Sequence, residues 1–308
     1  MEVSKIPLTD IPQFAKRDRA YIEEVPELKP FYKYPVQLAS FEQVIADKKS
    51  DSTDRPLLVK VLKEQYTGLK ASEKVNRNID LLLDENCFTL VTAHQPSLFT
   101  GPLYYIYKIL STIQLAEVLG EAYPDNSFVP VFVSGAEDHD FEEVNHANIY
   151  GKTLKWESQE LGSVGKMQTG KLANPLSELK DLLGDRDSAK AIYQTIESAY
   201  TNNQLYGKAT IELVHELFQS YGLVVLDMSV PLLKQAAVPI FKKELFVIYK
   251  HLEKNRQQVI ANLHRNFYRI IKKLNVHLLQ TEFVLINTST IDTVLLPIPI
   301  KFSPDCLP

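Results

Sequence analysis

The chain changes its period at Cys87-Phe-Thr-Leu-Val-Thr-Ala93, then runs through His94-Gln-Pro-Ser-Leu-Phe-Thr-Gly101 into the apolar stretch Pro102–Leu119. The first seven residues are apolar and β-branched, as a strand buried on both faces should be. His94–Gly101 carries proline, serine and glycine and reads as a loop. From Pro102 the apolar residues Leu103, Ile106, Tyr107, Leu110, Ile113 and Val118 recur near one helical face. Thr100 or Gly101 is the expected cap, Pro102 suits the first turn, and Gly120 is a stop signal. Phe128-Val-Pro-Val-Phe-Val133 is the next strand. Strand, helix, strand in that order is a βαβ unit, which implies parallel strands and a right-handed crossover.

Upstream, prolines 7, 12, 26, 30 and 35 mark residues 1–55 as an irregular arm with short helices, one near 38–48. Leu58, Val61, Leu62, Tyr66 and Leu69, then Val75, Ile79 and Leu82, predict two helices with a break near Ala71. Downstream, Asn148–Tyr150 and Thr153–Trp156 read as short strands around Gly151. Helices are expected beyond Gly170 and over 207–219, and the parallel sheet resumes at Gly222-Leu-Val-Val-Leu-Asp227. Residues 232–274 are helical in pattern with a break near Pro239, and β-like runs follow at Val276–Leu279 and Phe283–Ile286. The expected division is 1–146 (arm and first half of the core), 147–205 (an inserted connecting module), 206–275 (return to the core and long helices) and 276–308 (an atypical tail).

Composition narrows the function classes. The 308 residues carry a net charge of −4, which gives no general electrostatic reason to bind nucleic acid. Two cysteines, Cys87 and Cys306, form no CxxC pair, so neither a disulfide framework nor a cysteine zinc site is expected. MEVSKIPLTDIPQF has no apolar leader, and no run of about 18 apolar residues suggests a membrane span. The expected compartment is the cytoplasm.

Two segments carry candidate chemistry. His94–Tyr104 leaves a parallel strand and enters a helix, the edge where helix dipoles and backbone amides favour anions. There Gly101 allows close approach, Thr100 offers a hydroxyl, His94 an imidazole, and Lys108 a cation one turn in. The alternative is a capped helix with His94 bonded to nearby backbone. Neither a Walker lysine nor a GxGxxG pattern is present. The second segment, Ser134–His146, packs Glu137, Asp138, Asp140, Glu142 and Glu143 into seven positions beside His139 and His146. Such crowding calls for a cation, a histidine or a bound ammonium group to offset repulsion. The acids suit a divalent cation, a general base toward an amine, or an α-ammonium group; His139 suits proton transfer or orientation of Asp138. A solvated charged loop is the plain alternative for some of them. Asp227, at the end of a buried strand, is a weaker candidate whose plain alternative is a helix cap.

Taken together, His94-Gln…Leu98-Phe-Thr-Gly-Pro-Leu-Tyr104…Tyr107-Lys108 and Pro130-Val-Phe…Glu137-Asp-His-Asp-Phe-Glu-Glu-Val-Asn-His146 resemble the bacillithiol-biosynthesis cysteine-adding enzymes. The resemblance runs from Val3–Pro7 through Lys155-Trp156 to Val238–Leu245. It implies an α/β fold with a Rossmann-like parallel-sheet core, similar to class I synthetases and nucleotidyltransferases, with an inserted connecting module and long helices. It implies a ligase that adds cysteine to glucosaminyl-malate by amide-bond formation, with an activating nucleotide, ATP or another. Full-length members are expected to be homodimers joined by a coiled coil, and longer than this chain, which reads as shortened. The resemblance assigns His94, Asp138, His139 and Asp140 to catalysis. It assigns Gln95, Thr100, Gly101, Tyr104, Lys108, Glu137, Asn145 and His146 to substrate or nucleotide and names no metal ligand, the acidic segment receiving the amine or a metal. The competing readings are a metal-dependent hydrolase built on Glu137–His146 and an inactive nucleotide-binding fragment.

Overall fold

A computed structural model describes residues 6, 7 and 10–243. The described residues up to Ser52 form one compact unit, and those from Thr53 onward a second. The first unit holds two short helices, α1 (Lys16–Ile22) and α2 (Phe41–Lys48). In it Asp47 accepts from Gln43 and Lys33 and from the Tyr34 hydroxyl, bonds that hold its carboxyl down at about 2.

In the second unit, α3 (Arg55–Gln65) and α4 (Glu73–Leu81) start on side-chain caps: Asp54 accepts from Leu57 N at 3.0 Å and Ser72 from Val75 N at 3.3 Å. Then come β1 (Cys87–His94), α5 (Tyr104–Ala122), β2 (Ser127–Ser134) and the short α6 (Phe141–Val144). β3 (His146–Ile149) and β4 (Lys152–Lys155) pair antiparallel. Tyr150 and Gly151 turn the chain between them, both with positive φ (49° and 80°), the combination a two-residue hairpin needs to match strand twist. α7 (Ala173–Leu183), α8 (Asp187–Asn202), α9 (Tyr206–Phe218), β5 (Val224–Asp227) and α10 (Pro231–Lys243) complete the described chain.

β1, β2 and β5 form a parallel sheet in that order, so the expected βαβ unit and the return of the sheet near 222–227 are both present. Alternation along each strand divides the core. Cys87, Val129, Val131, Val224 and Leu226 pack toward α3 and α4, while Phe132 and Val225 pack toward α5 and α9. A further apolar cluster gathers Trp156, Leu154, Leu172, Leu179, Tyr200 and Tyr206, with Leu98 and Phe99 from the loop after β1.

Three expectations need correction. The inward face of α5 is Tyr105, Ile109, Ile113, Ala116 and Leu119; Leu103 (67% exposed) and Tyr107 (60%) point outward. The helix is apolar on nearly every side, so spacing alone cannot choose its buried face. Neither Thr100 nor Gly101 caps it: it begins at Tyr104 without a side-chain cap. Pro239 does not break α10, which continues to Lys243. The proline removes the bond to the Gln235 carbonyl, and both residues are exposed, so water can take the donor's place. The patterns expected beyond Lys243, including both β-like runs and the rest of the long helix, lie outside the described residues.

Burial makes the core sensitive to alkali. It raises Tyr66 to about 12 and the Cys87 thiol to about 11, and pushes Tyr105 and Tyr206 well above the ordinary phenol value. Below the unfolded phenol value, about pH 10, both states keep the phenol protons; only the Cys87 thiol, ordinarily at about 8.5, begins to weaken stability earlier. Above it the unfolded chain loses protons that the folded chain retains, so stability falls as pH rises toward the folded values. Melting temperature should therefore decline steadily from about pH 10 upward; a flat profile to pH 12 would show that these phenols are not buried in solution.

Candidate functional site

The carboxyl ends of the three parallel strands bring His94, Ser134 and Asp227 into one row, in direct register and therefore on the same face of the sheet. The loops after β1 and β2 are tied together at once, because Gly135 N donates to the His94 carbonyl at 2.8 Å. A β-carbon on Gly135 would stand 3.3 Å from that oxygen, which favours glycine there.

His94 is held in one tautomer. Its Nδ1 lies 2.9 Å from the Gln95 carbonyl, which can only accept, so Nδ1 carries a proton. In the neutral ring Nε2 is then the lone-pair nitrogen, and the Tyr104 hydroxyl donates to it at 3.3 Å. Donation from Nε2 to an anion requires the imidazolium. The loop itself is tightly bent: Phe99, Thr100 and Gly101 have φ of 50°, 70° and 55° in succession. A β-branched residue in this region is a true outlier, held only because its surroundings impose it. The glycine at 101 answers an internal demand, since a β-carbon there would meet that of Ser97 at 2.6 Å. Amides 105–107 bond back to the carbonyls of Pro102 and Leu103. An anion at this helix start would therefore be met by its dipole and by side chains rather than by those three amides. Lys108 reaches the end of β1, donating to the Ala93 carbonyl at 2.7 Å.

The acidic segment is ordered by named bonds. Gln95 Nε2 donates to Asp138 at 2.8 Å and to Glu143 at 2.9 Å, bridging two carboxylates that would otherwise repel. Asp138 also accepts from the Asp140 amide at 2.9 Å, and Asp140 caps α6. Glu137 pairs with Lys234 of α10. The His146 ring meets Asn145 Oδ1 at 3.2 Å. His94, Gln95, Tyr104, Lys108, Glu137 and Asp138 thus lie along one strand edge with Glu143, while His139 and Asp140 sit on the exposed outer side of the loop. Among the described residues no three histidine, cysteine, aspartate or glutamate side chains converge as a group that could hold a metal ion.

Replacing Gln95 by leucine should expose the repulsion between Asp138 and Glu143. We expect a loss of about 1–2 kcal/mol and faster amide exchange over 136–143. Unaltered exchange would show that the bridge carries no weight.

At this edge the sequence offered Asp227 as a weaker candidate, while Lys208, Lys234 and residues 163–165 escaped its reading. Asp227 is 4% exposed; it accepts from the Ser229 amide at 2.9 Å and from Lys208 of α9 at 3.0 Å. Burial pushes its carboxyl up, but the Ser229 bond and the Lys208 charge outweigh this and hold it below the ordinary value. Its strand-end position was the one available signal. Lys208 and Lys234 gave none, because each meets its partner only in the folded chain. The acidic loop is clamped from residues 163–165: Ser163 Oγ and Gly165 N both donate to the Ala136 carbonyl at 2.7 Å, and Val164 N to the Asp138 carbonyl at 2.8 Å.

Comparison with known proteins agrees with this architecture. The family described as "Bacillithiol biosynthesis BshC, N-terminal Rossmann-like domain" matches residues 1–283. A protein of Flavobacterium psychrophilum named "Putative cysteine ligase BshC" is 40% identical over 253 residues, covering 81% of this chain and 47% of its own length. One of the same name from Flavobacterium johnsoniae is 41% identical over 234 residues, 75% of this chain and 44% of its own. Another from Bacillus cereus is 28% identical over 254 residues, 79% and 47%. The chain spans about half the length of these curated relatives. No helix among the described residues is long and apolar enough to cross a membrane. A parallel α/β sheet, with the family's match over residues 1–283, places this chain in the BshC family of bacillithiol biosynthesis, within its N-terminal Rossmann-like domain.

Proposed function

We propose that this chain carries the substrate-binding edge of a ligase that joins L-cysteine to glucosaminyl-malate by an amide bond, the last step of bacillithiol formation. The observation that supports it most is the juxtaposition made by two consecutive residues. His94 carries its lone pair on Nε2, where the Tyr104 hydroxyl donates, and the next residue, Gln95, bridges Asp138 and Glu143. A site that joins an amine to a carboxylate needs both a place for an ammonium or amine and a group that removes its proton. The bridged acids suit the ammonium, and His94 suits the proton. Tyr104, Thr100, Gly101 and Lys108 border the anion side, with the dipole of α5 directed at it. Glu137 acts through Lys234, Asp140 and His139 form the outer rim, and Asn145 and His146 follow α6 in contact with each other.

A carboxylate is a poor electrophile, so the reaction requires an activated acyl group and hence ATP or another nucleotide as cosubstrate. His94 as imidazolium and Lys108 are the cations on this edge suited to its phosphates. We further read 147–205 as a module inserted in the core between 1–146 and 206–275; most, though not all, of the apolar cluster around Trp156 comes from it, the rest being supplied by residues such as Leu98, Phe99 and Tyr206. The reading carries with it a cytoplasmic setting, small-molecule rather than nucleic-acid partners, and a homodimer for full-length members.

The test is incubation of a full-length relative with cysteine, glucosaminyl-malate and a panel of nucleotides, with bacillithiol read by mass spectrometry. Product with one nucleotide is the expected result. No product with any of them would sink the ligase reading.

A further inference from the structure

The outer edge of β1 is open in its middle. β1 ends the described sheet, with β2 on one side only. Two bonds that flank the pair fix its phase: Ser127 N donates to the Asn86 carbonyl at 3.0 Å and Gly135 N to the His94 carbonyl at 2.8 Å. Even-numbered residues of β1 therefore bond to β2, and the amides of Thr89, Val91 and Ala93 point outward. Side chains close the two ends of that outer edge. Arg55 donates to the Cys87 carbonyl at 3.0 Å and Lys108 to the Ala93 carbonyl at 2.7 Å. Between them stand Thr89 and Val91, the latter 47% exposed. A free edge strand is normally guarded by a charge, a proline or a bulge. Cys87–Ala93 contains no charge and no proline, and it runs beside β2 in unbroken register.

Handedness says what belongs there. α5 crosses from β1 to β2, and α9 lies before β5 on the same face, both packed on Phe132 and Val225. The sheet therefore grows from β1 through β2 to β5. α10 follows β5 on the opposite face, where Leu233 packs on the cluster of α3 and α4. A right-handed crossover on that face advances the other way, from β5 back toward β1. Both places beside β2 are taken, so a parallel strand reached through α10 fits only against the outer edge of β1. The first β-like run of the sequence beyond α10 is Val276–Leu279. It lies outside the described residues and within the family match over 1–283.

We propose that Val276–Leu279 pairs in parallel with the outer edge of β1 at Thr89 and Val91, extending the sheet by one strand. The strand order then reverses at β1, as in doubly wound sheets, where ligands bind in the crevice at the reversal. His94 thus stands at the reversal itself rather than at the border of the sheet. This frame holds whether or not the ligase reading does.

The experiment is amide exchange of the ¹⁵N-labelled 308-residue chain, with nuclear Overhauser contacts measured between amides. Phe88, Leu90 and Thr92 are internal standards, because β2 protects their amides. The expected result is that Thr89 and Val91 exchange within about tenfold of these standards and show contacts to residues 276–279. Faster exchange of Thr89 and Val91 than that shows an open edge and overturns the proposal. Protection that fades on dilution identifies a second copy of the chain as the occupant and also overturns it. So does protection without contacts to residues 276–279, which assigns the edge to another segment.

Discussion

Gly165→Ala lowers the melting temperature of this chain by about 6–12 °C, the shift expected for a loss of about 3 kcal/mol in a domain of this size. The added β-carbon would stand 2.5 Å from the Ala136 β-carbon and 2.6 Å from the Ala136 carbonyl oxygen. Neither neighbour is the end of a flexible side chain. Ala136 belongs to the acidic loop, and its carbonyl accepts the Gly165 amide at 2.7 Å, so the clash and the bond fall on the same atoms. On the far side, a β-carbon on Gly207 would come within 3.0 Å of the Gly165 α-carbon, so Gly165 cannot simply retreat toward α9. The clash must displace either the acidic loop or the start of α9. Differential scanning calorimetry checks the prediction; a shift below about 2 °C would mean that the contact yields without cost.

The second large effect concerns chemistry. In a full-length relative, replacing the residue that matches His94 by alanine, or the one that matches Asp138 by asparagine, should cut turnover by about 10²–10⁴-fold, the usual worth of a positioned acid or base. Melting temperature should change little, because both side chains are partly exposed at a loop edge. The two losses should differ in kind. Without His94 the proton acceptor is missing and kcat falls; without the Asp138 charge the ammonium partner is weakened and KM rises as well. Steady-state kinetics with cysteine and glucosaminyl-malate varied in turn separates them. Full turnover in either variant removes that residue from the site.

How much of this was legible follows from how local each feature is. β1, β2 and β5 announce themselves in a handful of adjacent apolar residues; β5 is buried on both faces, as such a run predicts, whereas β1 leaves Thr89 and Val91 exposed at the end of the described sheet. The two candidate loops were legible for the same reason: each begins where such a run ends. The orientation of α5 was not, since Leu103 and Tyr107 are as apolar as Tyr105 and Ile109, and only packing against Phe132 and Ile211 selects the second pair. Within the acidic segment, residue types showed that the charges needed an offset but not what supplies it. Asp138 and Glu143 are met by Gln95, more than forty positions away, and Glu137 by Lys234, nearly a hundred away. The role of Gly165 was hidden because a glycine matters there only through its contact with Ala136. Thr100 at φ 70° runs against its own preference and shows only in the folded chain.

The most direct measurement of the central claim, that the loops after β1 and β2 together make the substrate site, is a two-dimensional NMR titration of the ¹⁵N-labelled chain with L-cysteine. The account predicts that saturable shifts concentrate in amides 94–104 and 134–143, at the carboxyl edge of the sheet. Shifts that fall instead around Cys87, Ser127 and Val224, where the same strands begin, would contradict it.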